Sequence, residues 1–118
     1  MTDVNNVNLG GVLVEMPYIK ASNGWTLVKL RIACTVAIWR RNEETGQTER
    51  SEALNYFTVK AAGDEATAVA QLLRKDDRCW CVGRLRQETY IDQHGAKHTE
   101  MVIEATKVVR LDTAMQQS

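Results

Sequence analysis

Between Val28 and Ile38 every even position is apolar (Val28, Leu30, Ile32, Cys34, Val36, Ile38), while Lys29, Arg31 and Thr35 alternate between them. A period of two marks a strand with one face on a core, not a helix. Four further β-rich runs are expected as strands: "VNLGGVLV" (Val7 to Val14), "ALNYFTVKAA" (Ala53 to Ala62), "RCWCVGRLRQETYI" (Arg78 to Ile91) and "TEMVIEATKVVRL" (Thr99 to Leu111). Gly10 and Gly11 permit the first to bulge or bend, as a strand must where a small barrel curls. One segment has helical spacing. Asp64 to Lys75 places Ala66, Val69, Ala70 and Leu73 on one side, begins with acids and ends with Arg74 and Lys75, an order that suits the helix dipole. The polar stretches Pro17 to Gly24 and Arg40 to Glu52 are expected as connections, the second long enough to act as a flexible arm or binding loop.

Three strands, a helix and two strands is the order of an OB-fold, an all-β, five-stranded Greek-key barrel with one helix between strands three and four. The chain of 118 residues suits one such domain. Residues 1–112 are assigned to it and 113–118 to a short disordered tail. The longest apolar stretch falls far short of the roughly 20 residues of a membrane span, and the N-terminus lacks the basic start and apolar core of a signal peptide, so a cytoplasmic protein is expected.

Composition changes this picture little. Fifteen basic and fifteen acidic residues cancel, so any anion site must come from cations gathered on one face. Cys34, Cys79 and Cys81 lie in strand-like runs and fit free core thiols. The "CWC" spacing is not that of a zinc site, and His94 and His98 fall in a hairpin, so no metal and no cofactor are expected. No nucleophile with its base, paired carboxylates or Gly-rich phosphate loop emerges, which argues against an enzyme with a small-molecule substrate.

The chemistry that does stand out is in "GRLRQETYIDQHG" (Gly83 to Gly95). Arg84, Arg86 and Tyr90 share parity and therefore one face of an extended strand. A ring beside two guanidinium groups suits a base and its flanking phosphates. The alternative is structural: Glu88 lies on the same side and could pair with the arginines. Trp39 breaks the even-apolar pattern, which directs it away from the core.

In order and spacing, Asn6 to Gly11, "RIAC" followed by Trp39, Thr45-Gly46, "YFTV", "LLRKDDRCWCVGRLR" and "YIDQHG" resemble bacterial-type single-stranded DNA-binding proteins over about residues 5 to 111. The resemblance implies an OB-fold that wraps single-stranded DNA without a cofactor, assembled as a homotetramer, with a dimer as the alternative. It places Trp39, Tyr56 and Tyr90 at or within a residue of the family's stacking aromatics. Arg31, Arg40, Arg41, Lys60, Arg74, Lys75, Arg84 and Arg86 are the expected phosphate contacts. Trp80 is read as packing in the core or at a subunit contact, and Trp25 as a loop anchor. Two departures predict weaker binding than is usual: Glu88-Thr89 replaces a basic pair before the hairpin aromatic, and Ala61-Ala62 stands where the family carries another ring. A protein-interaction or primosome-type accessory module, or an RNA binder, is the competing reading, since fold alone does not fix function.

Overall fold

The computed structural model describes residues 2–111, so the expected tail at 113–118 lies outside the described residues. The elements are β1 (Val7–Leu13), β2 (Tyr18–Ser22), β3 (Trp25–Arg41), β4 (Thr48–Ala61), α1 (Asp64–Ala70), β5 (Arg78–Ile91) and β6 (Lys97–Arg110). The sheet runs β1-β5-β6-β4-β3-β2, and a further pairing of β1 with β3 closes β1, β5, β6, β4 and β3 into a barrel. All neighbours are antiparallel except β4 and β6. The expected OB-fold, with its helix between the third and fourth barrel strands, is the observed architecture.

The alternation read from β3 is the alternation of the barrel. Val28, Leu30 and Ile32 are buried, with Leu9, Leu13, Val59, Cys79, Cys81, Ile103 and Ala105 around them. Cys79 and Cys81 share the inward face of β5 as free thiols, and the hydrogen bond to Cys79, with burial, pushes the Cys81 thiol up. Gly11 stands where β1 passes from β5 onto β3. A Cβ there would meet the Ala33 carbonyl oxygen at 2.3 Å, so only glycine lets the two backbones approach. The register irregularity lies elsewhere, in the β5–β6 pair between Val82 and Gly83. A Cβ on Gly83 would fall 1.9 Å from the Glu104 carbonyl oxygen.

Three expectations are corrected. Pro17 to Gly24 is not a plain connection, because Tyr18–Ser22 forms β2 and turns back into β3 through Asn23 and Gly24, both at positive φ. Asn-Gly is the preferred two-residue hairpin turn, a signal the sequence carried. Arg40 to Glu52 is not a long loop either. β3 continues to Arg41 and β4 begins at Thr48, leaving a turn in which the Asn42 side chain accepts from the backbone N–H groups of Glu44 and Thr45. Strand continues there because the hairpin projects past the barrel, where both faces are wetted and apolar alternation has nothing to report.

The helix is also shorter than its charge pattern suggested. It stops at Ala70, and Arg74 and Lys75 fall beyond its last turn. Leu72 and Leu73 N–H groups reach back only three residues, a tightening that drives Leu73 into the core at 1% exposure. Asp77 then accepts from the Arg74 N–H, and Asp76 takes positive φ as the chain turns into β5.

Candidate nucleic-acid interface

Odd residues of β3 lie on the face opposite the core and are paired with residues of β4 on the same side: Lys29 with Lys60, Arg31 with Thr58, Ala33 (itself buried) with Tyr56, Thr35 with Leu54, and Trp39 with Arg50. Directly opposed antiparallel residues share a face. Trp39 and Tyr56 therefore lie on one continuous outer surface, 65% and 51% exposed. The Arg31 guanidinium carbon sits 5.9 Å from the Tyr56 ring centroid, and its Nη1 donates to the Thr58 hydroxyl at 2.8 Å. That hydrogen bond holds the cation against the ring, which stays half-exposed. Arg41 shares the parity of Trp39 at the hairpin tip, whereas Arg40 alternates to the opposite side.

The same surface continues across the barrel. Lys60 neighbours Glu104 on β6, which neighbours Arg84 on β5. Arg84, Arg86, Glu88 and Tyr90 share the outward face, as the parity of the sequence required. The two arginines are not free, however. Arg84 donates to Glu104 at 3.0 Å, Arg86 donates to Glu88 at 2.7 Å, and Lys60 donates to Glu88 at 2.5 Å. Arg86 Nε also lies 2.9 Å from Glu104, an ionic contact without the alignment of a hydrogen bond. Three cations are thus threaded by two carboxylates in the middle of the surface. Glu88 is held below the usual carboxylate range, first by its hydrogen bond from Lys60 and then by the charges of Lys60 and Arg86.

Tyr90 stands further out on the β5–β6 hairpin, 51% exposed. Its ring stacks on His98, the directly opposed residue, at 5.1 Å between centroids and 20° between planes. His98 Nε2 is 2.6 Å from the Asp92 carboxylate, which also accepts from the N–H groups of His94 and Ala96 and so organises the turn. The hydrogen bond with His98 lowers the Asp92 carboxyl. From the sequence, His98 is only a residue of the hairpin. Only the cross-strand register reveals it as the support of the tyrosine.

Among the remaining expected contacts, Arg74 and Lys75 are exposed in the connection between α1 and β5 rather than on a strand face. Trp80 is not a core residue: it faces outward opposite Gly10 of β1 and Val109 of β6, 46% exposed. Core packing fails for it because its neighbours Cys79 and Cys81 take the inward positions. Among the described residues, no three His, Cys, Asp or Glu side chains gather as metal ligands, and no helix is long and apolar enough to cross a membrane.

The outer surface can therefore offer ring faces beside cations, the combination by which single strands are held without reading their sequence. Comparison with known proteins agrees. The model of the single-strand binding protein family matches residues 4–111. The SSB of Plasmodium falciparum, solved as a complex with ssDNA, superposes with a TM-score of 0.76 at 18% identity, covering 95% of this chain and 98% of that one. The small single-stranded DNA-binding protein of Streptomyces coelicolor superposes with a TM-score of 0.66 at 23% identity, covering 98% and 99%. No curated protein sequence matches the chain significantly. The chain belongs to the single-strand binding protein family, and binding of single-stranded DNA is the function that membership carries.

Proposed function

We propose that this protein coats single-stranded DNA without regard to sequence, as a non-enzymatic homotetramer in the cytoplasm and on the nucleoid, protecting strands exposed in replication, recombination or repair. The observation that carries the reading is the outward row of β3 and β4, where Arg31 is held over Tyr56 and Trp39 follows on the same face. Bases stack on Trp39, Tyr56 and Tyr90. Arg31 and Arg41 take phosphates directly, Arg40 does so from the other side of the hairpin, and Lys60, Arg84 and Arg86 do so by exchanging carboxylate for phosphate. Arg74 and Lys75 serve only a strand that continues around the barrel end. The domain is residues 1–112. Assembly is supported by Trp80, a large ring left half-exposed beside Val82 and Val109, the kind of surface a second copy covers.

Intrinsic tryptophan fluorescence, titrated with oligo-dT, an RNA oligomer of equal length and duplex DNA at low and high salt, tests this. Quenching by oligo-dT that weakens as salt rises is expected, through stacking and counterion release. Equal quenching by RNA would remove the DNA preference, and no response to any of the three would favour the protein-interaction reading. Sedimentation at several concentrations tests the tetramer.

A further inference from the structure

Tyr18, Lys29, Lys60, Glu104 and Arg84 are successive cross-strand neighbours on β2, β3, β4, β6 and β5, one row across the outer surface. Its β5 end is neutralised by Glu88 and Glu104. Its β2 end is not: among the described residues no carboxylate oxygen comes within 4.0 Å of the Lys29 or Arg31 side-chain nitrogens. Lys29 stands directly opposite Lys60, but Glu88 takes up the Lys60 charge and leaves that of Lys29 uncompensated. Glu15 borders the open cleft between Lys29, Arg31 and Thr58 without pairing with either cation.

Lys29 Nζ lies 5.4 Å from the centroid of the Tyr18 ring, which is 55% exposed. This repeats, two residues earlier on the same face of β3, the arrangement of Arg31 over Tyr56. Beyond it on that face are Lys20, opposite Leu27, and Trp25 at the hairpin turn. We propose that Tyr18 and Lys29, with Lys20 and Trp25 beyond them, extend the single-stranded DNA track onto the β2–β3 hairpin. A base stacks on the free face of Tyr18, and Lys29 holds the adjoining phosphate. The proposal rests on the single-strand reading above, and continuity with that surface and its unneutralised positive charge favour DNA as the occupant.

A variant carrying Trp39→Phe and Trp80→Phe leaves Trp25 as the sole tryptophan, a local reporter of this end. Oligo-dT of about 16 nucleotides, the upper range for one OB-fold, is expected to quench it at saturation. Tyr18→Ala should weaken binding at least about fivefold, the loss of one stacked base. Lys29→Gln should flatten the log–log salt dependence by about 0.7, one phosphate contact to a single strand. The extension is overturned if Trp25 emission is unchanged while the anisotropy of a labelled oligo-dT reports saturation, or if Tyr18→Ala binds as the parent does. No anisotropy change with the parent protein would overturn the single-strand reading itself, and the extension with it.

Discussion

The ammonium group of Lys60 lies 2.5 Å from a carboxylate oxygen of Glu88, 28 positions along the chain, and that carboxylate also accepts from Arg86. A phosphate arriving here must displace a carboxylate already in place. Glu88→Gln is therefore expected to tighten binding of oligo-dT, by up to about fivefold for a partly exposed pair. It should also steepen the salt dependence, since Lys60 becomes free to replace a counterion while Arg86 keeps its contact with Glu104. Titrations of parent and variant at three salt concentrations measure both. Weaker binding in the variant would mean that Glu88 orients the cations rather than competing for them.

The same carboxylate makes stability sensitive to acid. Its pKa is lower in the folded chain than in the unfolded one, so between those two values the unfolded chain binds more protons and stability rises with pH. The contribution is complete above the ordinary value near 4.3 and is lost as pH falls through the folded value. Asp92, lowered by His98, behaves in the same sense slightly lower on the scale. Urea midpoints at about pH 7 and about pH 3 should fall less for Glu88→Gln than for the parent protein.

Tyr90 depends on the turn beneath it. Asp92 accepts from two backbone N–H groups and from His98, and His98 carries the tyrosine ring. Asp92→Ala should loosen this end of the β5–β6 hairpin while the barrel stays folded. Amide exchange of residues 88–99 should quicken, with Val28 to Ile32 still protected. Tyr90→Ala should cost about 1–3 kcal/mol of oligo-dT affinity, the range for one stacked base in proteins of this class. A Tyr90→Ala variant that binds like the parent would take the hairpin out of the interface.

Gly83 and Gly10 provide a matched pair of substitutions. A Cβ at Gly83 collides with the Glu104 backbone, whereas one at Gly10 finds its nearest neighbour, the Cys79 carbonyl oxygen, at 3.8 Å. Gly83→Ala should destabilise by about 3 kcal/mol, the upper end for overpacking against atoms that cannot rotate away. Gly10→Ala should be close to neutral. Denaturant midpoints of the two variants compare them directly.

Features settled within a few residues are legible in the chain. The inward set of β3, the parity of Arg84, Arg86 and Tyr90, the outward course of Trp39 and the turn at Asp92 are consequences of a two-residue period and of local turn chemistry. Closing the barrel decided what remained. It set β6 between β4 and β5, which brought Glu104 against Arg84 and Arg86, and it curled the β5 hairpin so that Glu88 meets Lys60. These partners lie on different strands, and no periodicity along one strand specifies the register of another. Tyr18 differs from them: the Asn23-Gly24 turn fixes the β2–β3 register and so sets it opposite Lys29, and the tertiary structure adds only that this pair continues the row of Lys60.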